Sequence, residues 1–218
     1  MRDSLRKILL SPWAKVAVFL LCLIPFAYIA WAVLAYLRGQ PLPSYVGAEP
    51  VAFLQHFTGD WTLRFLLITL SITPLRKLLN LPNLIRFRRM LGLFAFFYVS
   101  LHFLTYIGPD QAFDFAAMMK DVAKRPFITV GFTGFVLLIP LAVTSTRGWI
   151  RRLGGKNWQA LHRLIYVAAL SGVIHYYWLV KSDHRLPLLY AVLLALLLLY
   201  RLASSLLKPR PQVERSAA

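Results

Sequence analysis

Six apolar blocks joined by short polar stretches dictate what this chain can become: Ala14–Leu37, Phe57–Leu75, Met90–Ile107, Phe127–Ser145, Trp158–Val180 and Leu186–Leu207. A bilayer core about 30 Å thick is crossed by roughly 20 apolar residues in an α-helix, which satisfies its own backbone amides. Each block meets or approaches that length. Of 218 residues 59% are hydrophobic, and the mean hydropathy is +0.61, too apolar for a soluble domain. Too little chain remains between the blocks for a second domain. The expected fold is all-α, a polytopic membrane bundle of about six transmembrane helices. Its parts are an N-terminus over 1–13, a single membrane domain over 14–207 and a tail over 208–218.

Charge then sets the orientation. A net charge of +17 would suggest nucleic acid in a soluble protein, but its distribution here excludes that partner. With the N-terminus inside, sixteen Lys and Arg collect on one face, among them Arg6, Lys7, Arg76, Lys77, Arg86, Arg88 and Arg89. Six collect on the other, including Lys120, Lys124 and Arg125. The positive-inside rule therefore puts both termini in the cytoplasm, with the basic loops against membrane lipid headgroups. Trp13, Trp149 and Trp158 mark the inner edge of the bilayer, and Trp31, Trp61 and Trp178 the outer edge. The first block is read as a retained helix, since it runs past the length of a signal-peptide core. The outer segment 110–125 has the mixed pattern of an interfacial amphipathic helix.

Three histidines lie inside the blocks: His102, His162 and His175. An ionisable side chain at that depth is costly unless something pairs or binds it, so each is a candidate functional residue. Neutral imidazole is also an axial ligand of haem iron. His102 lies six residues before Gly108, and His175 six before Lys181. At these points two helices running the same way leave the membrane outward, so both rings sit roughly 9 Å below that surface. Matched depth on parallel spans is what a bis-histidine haem requires. Gly172, one turn from His175, would admit a flat porphyrin edge. The competing reading is two unrelated imidazoles bonded to backbone carbonyls.

His162 stands at the opposite end of the fifth block, six residues after Lys156. On a continuous helix it is about 20 Å from His175 along the axis and turned by about 140°. No histidine matches its depth; Ala95 stands six residues after Arg89. Its readings are a second haem with an unusual partner, a quinone or flavin contact, or an interfacial side chain beside Arg163. His56 and Arg64 are candidate hydrogen-bond donors to a haem propionate, against interfacial or snorkelling roles. Arg86, Arg88 and Arg89 would hold a flavin phosphate or a quinone oxygen, unless they serve only orientation and lipid phosphate.

The lone Cys22 forms no disulfide within the chain, and no Cys-x-x-Cys-His occurs, so any haem is non-covalent, b-type. No phosphate-binding or dinucleotide-binding glycine motif is present either. Electrons must then arrive from another protein or from quinol. Two other classes compete. A proton-coupled transporter or channel would use the same histidines but favours interior acids, and all eight Asp and Glu read as loop, tail or helix-edge residues. An assembly or anchor subunit would carry them as bystanders.

The segments Gln55–Gly59, Ile72-Thr73-Pro74-Leu75, Leu84–Gly92, Ser100-Leu101-His102, Trp158–Tyr166 and His175-Tyr176-Tyr177-Trp178 together resemble the MsrQ (YedZ) family. These are bacterial inner-membrane haem proteins with a ferric-reductase-like transmembrane domain. The resemblance runs over nearly the whole chain. It implies an electron-transfer subunit, not catalytically complete alone. Such a subunit passes electrons from the quinone pool or a cytosolic flavin reductase to MsrP, a periplasmic molybdopterin enzyme that reduces methionine sulfoxide in oxidised proteins. It also implies haem b and FMN as cofactors, with His102, His162 and His175 on the family's haem-associated histidines. Larger relatives carry a histidine on the third helix near the inner face, where this chain has Arg88 and Arg89.

Overall fold

The computed structural model describes residues 2–207, and every regular element among them is helical. The tail expected over 208–218 lies outside the described residues. In chain order the helices are α1 (Arg2–Leu10), α2 (Pro12–Leu37), α3 (Pro50–Leu78), α4 (Ile85–Thr105), α5 (Phe115–Lys124), α6 (Pro126–Val143), α7 (Arg147–Leu161), α8 (Leu164–Leu179) and α9 (Arg185–Leu206). Four of the described helices are long and apolar enough to cross a membrane: α2, α4 with its flanking turns, α6 and α9. The count of six adds α3, which carries Asp60 and Arg64 within 29 residues, and α8, which has only 16. The chain is a multi-pass membrane protein. Phe19, Leu20 and Ile24 on α2 and Leu189, Leu196 and Leu199 on α9 turn outward. In lipid such faces carry no hydrophobic penalty.

The α3–α4 and α6–α8 pairs make the most extensive packing, and α3 also touches α8 and α9. The fully buried Leu66, Leu70, Ala95, Tyr98 and Leu194 mark the centre of the core. Helix starts follow local chemistry. Ser11 caps α2 by accepting from the Trp13 N–H, with Pro12 in the first turn; Asp114 caps α5 by accepting from Ala117.

Prolines inside helices strip a backbone donor, and other helices answer the loss. Near Pro25 the Phe26 N–H donates to the Tyr98 hydroxyl at 3.0 Å, and that hydroxyl donates to the Cys22 carbonyl at 2.8 Å. One side chain of α4 thus bridges the Cys22–Phe26 rung of α2, next to the one that Pro25 removes. In α3, Pro74 has no N–H for the Leu70 carbonyl, and the Arg201 guanidinium of α9 donates to it instead.

Three boundaries differ from the sequence reading. The fifth block is not one helix: α7 ends at Leu161, the chain turns at His162 and Arg163, and α8 begins at Leu164. Apolarity of Trp158–Leu161 extended the block, because hydropathy does not register a turn. The rise and rotation between His162 and His175 inferred from one continuous helix therefore do not apply. Gly108-Pro109 does not stop α4, which runs on as a π-turn, Tyr106–Asp110. Finally, α3 begins at Pro50, so Asp60 lies ten residues inside it and is no edge residue. The expected amphipathic helix of the outer segment is present as α5.

Candidate functional site

His102 on α4 and His175 on α8 meet across the bundle, with ring centroids 6.1 Å apart and planes at 74°. Each ring is fixed in the same way. His102 Nδ1 lies 3.0 Å from the Gln55 carbonyl and His175 Nδ1 lies 2.7 Å from the Phe127 carbonyl. A carbonyl only accepts, so each Nδ1 carries the proton and each Nε2 keeps its lone pair. The carbonyl bonds of the competing reading exist, and a backbone carbonyl on the second ring nitrogen is also the usual partner of a metal-ligating histidine. A metal–imidazole bond of about 2 Å on each side, plus about 1 Å from each nitrogen to its ring centre, gives roughly 6 Å between centroids.

The chain prepares both carbonyls with one device. Gly59 stands four residues after Gln55, and Gly131 four after Phe127, each one turn along the same helix face. A Cβ on Gly131 would lie 2.6 Å from His175 Nδ1, and one on Gly59 would lie 3.2 Å from His102 Cε1. Only glycine at 131 lets His175 reach its carbonyl unmoved, and at 59 any side chain would push His102 by a few tenths of an ångström. Gly172 has a different task, since its Cβ would meet Leu63 Cδ2 at 2.9 Å. Leu63 takes the place that the sequence reading reserved there for a porphyrin edge.

Both histidines line one cavity of about 330 Å³, walled mainly by apolar side chains of α3, α4, α6 and α8. Among the described residues no group of three or more His, Cys, Asp or Glu could hold a bare ion. Two opposed imidazoles instead suit a metal whose remaining ligands come with a flat macrocycle. The amide nitrogen of Gln55 is buried there with no hydrogen-bond partner, an orphan donor that a ligand acceptor would satisfy. The donor set, the apolar walls and this orphan all fit a haem.

The other outer candidates separate. His56 is exposed and lines the cavity. Arg64 does not: its Nε donates to the Tyr190 hydroxyl at 3.1 Å, its Nη2 lies 3.6 Å from the Asp60 carboxylate, and its guanidinium lies over Trp61. Arg125, counted from sequence as one of the outer charges, lines the cavity instead. Asp60 lines it too, half-buried in the interior of α3.

At the inner end a second cavity of about 540 Å³ brings together His162, Arg88 and Arg89 with Thr69, Trp158 and Tyr166. The Thr144 hydroxyl donates to the Pro140 carbonyl at 2.6 Å, so it accepts from His162 Nε2–H at 3.1 Å. The Trp158 ring stacks on the imidazole at 3.9 Å, held by its own indole N–H on the Thr144 carbonyl at 2.9 Å. The Thr69 hydroxyl is buried without a partner. Sequence reasoning passed over Thr69, Thr144 and the two helical glycines. Only the glycines carry a local signal, being unfavourable inside helices unless packing demands them.

Residues 58–173 match the family model of the ferric reductase like transmembrane component. The chain is 53% identical over 189 residues to the protein-methionine-sulfoxide reductase haem-binding subunit MsrQ of Herminiimonas arsenicoxydans, covering 86% of this chain and 83% of that protein. It is 50% identical to the MsrQ subunit of Caulobacter vibrioides, covering 84% of each. It is also 50% identical to that of Xanthomonas campestris pv. campestris, covering 94% and 92%. No solved structure matches.

Proposed function

The chain belongs to the MsrQ family of ferric-reductase-like transmembrane proteins, and from that premise we propose that it is the haem-binding membrane subunit of a protein-methionine-sulfoxide reductase system. Its task is to pass electrons through a haem b held by His102 and His175. The observation that carries this reading is the opposed pair of imidazoles, each proton-fixed on Nδ1 by a main-chain carbonyl.

A haem held by His102 and His175 would supply one-electron transfer. The chain does the rest. Gln55 and Phe127 set the tautomers and raise the basicity of the ligand nitrogens. Gly59 and Gly131 keep the carbonyls within reach. Leu63, Leu66, Phe103 and Phe135 keep the cavity dry. At the inner end Arg88, Arg89 and the unpartnered Thr69 hydroxyl present donors to an anionic or carbonyl-bearing aromatic acceptor, with His162 in the same wall. FMN and a quinone both have that chemistry, so we assign electron entry to this cavity, from the quinone pool or a cytosolic flavin reductase. Exit is then at the outer cavity, toward a periplasmic molybdopterin partner of the MsrP kind. The corresponding location is the bacterial inner membrane, with both termini cytoplasmic.

Visible spectra of the purified chain, before and after dithionite, test the assignment. Wild type is expected to show the reduced bands of a low-spin b-type haem, and His102→Ala and His175→Ala to lose them. A colourless wild type would favour a transporter, and unchanged bands in both variants would remove the ligand pair.

A further inference from the structure

The histidines account for the iron of a haem but not for its two carboxylates, which carry negative charge into whatever holds them. Besides the exposed His56, two donors at the cavity stand without an assigned task. The first is the Gln55 amide nitrogen, buried and unpartnered, on the same residue whose carbonyl fixes His102. The second is Arg125, at the start of α6 on the outer side. Its Nε lies 3.4 Å from the Asp121 carboxylate, which the Tyr106 hydroxyl also approaches at 3.5 Å. Among the described residues its terminal amines make no other hydrogen bond or ion pair, and the side chain is more than half exposed. Asp121 on α5 thus holds Arg125 at the mouth with its fork free. The cavity's two carboxylates, Asp60 and Asp110, are engaged elsewhere, by Arg64 and by the Gln111 amide.

We propose that Gln55 and Arg125 receive the propionates of the haem, with Arg125 at the rim and Gln55 in the buried wall. The proposal rests on the haem reading above. A guanidinium and an amide N–H offer only donors, and a carboxylate offers only acceptors. Of the two candidates the sequence offered for this task, His56 stands exposed at the cavity and the Arg64 guanidinium is occupied by Tyr190 and Asp60. In this arrangement Gln55 serves both ends of the cofactor, its carbonyl on the axial ligand and its side chain on the carboxylate.

The test uses the full-length chain in detergent, freed of haem and reloaded with either haem or haem dimethyl ester, whose carboxylates are masked. The readouts are the Soret titration and the rate of transfer to apomyoglobin. Wild type should hold haem at least about tenfold more tightly than the diester, the scale of one charge-assisted hydrogen bond. Arg125→Ala and Gln55→Leu should each erase most of that preference while leaving diester binding unchanged, and Arg125→Lys should keep most of it. Gln55→Glu, which sets carboxylate against carboxylate, should invert it. An unchanged preference in both Arg125→Ala and Gln55→Leu would overturn the proposal. Equal weakening of haem and diester would overturn it too, since that marks a structural role. Should wild type take up neither pigment, the haem reading itself fails, a result separate from the other two.

Discussion

The outer and inner cavities both contain an intramembrane histidine chemistry, yet they use it in opposite ways. In the outer one, two imidazoles give their protons to main-chain carbonyls and keep Nε2 free. In the inner one, His162 spends its Nε2 proton on Thr144, lies flat against Trp158, and shares its cavity with the guanidiniums of Arg88 and Arg89. On the function proposed above, the partner of a ring nitrogen, more than burial, separates a metal-ligating histidine from a cofactor-contacting one. A backbone acceptor prepares a ligand, whereas a hydroxyl acceptor beside cations prepares a surface for an anion or a polar ring.

The largest effect should come from the ligands. His102→Ala or His175→Ala is expected to abolish the outer haem, while His162→Ala leaves its reduced bands in place; pyridine haemochrome content per protein measures both. Gly131→Ala comes next. A methyl 2.6 Å from His175 Nδ1 must move the ring off its carbonyl, so haem affinity should fall by about 10–100-fold, the usual cost of losing an outer-shell orienting bond. Gly59→Ala, with a contact of 3.2 Å at His102, should cost less, and an unchanged haem affinity in both variants would deny that the two glycines serve the histidines. Arg88→Ala with Arg89→Ala should leave haem content intact and slow haem reduction by an added flavin reductase or quinol, read by stopped-flow absorbance. The smallest effect is expected from Tyr98→Phe. It strands the Phe26 N–H and the Cys22 carbonyl, costing about 1–3 kcal/mol of stability with no change in spectrum.

The bundle and the matched depth of His102 and His175 were legible in the sequence because both depend on local counting. Apolar length and a fixed rise per residue suffice for them. Partners across helices were not legible. Nothing in the neighbourhood of His102 says that Gln55 supplies its acceptor, since that follows from the way α3 lies on α4. Arg64 and Arg125 both read as outer cations, and only packing turns one toward Tyr190 and the other toward the cavity. The break after Leu161 was hidden because the flanking residues are apolar on both sides. Asp60 was misread as peripheral for a related reason: α3 starts before its apolar run does.

The bond from Arg201 to the Leu70 carbonyl bears on how the bundle is put together. A guanidinium is an unwelcome passenger on a lone span in lipid, and a carbonyl left bare by Pro74 is equally ill at ease there. Each is the remedy for the other, so α9 gains its full reason to dock only once α3 has been inserted. The last of the described helices would then act as the bolt that closes the assembly.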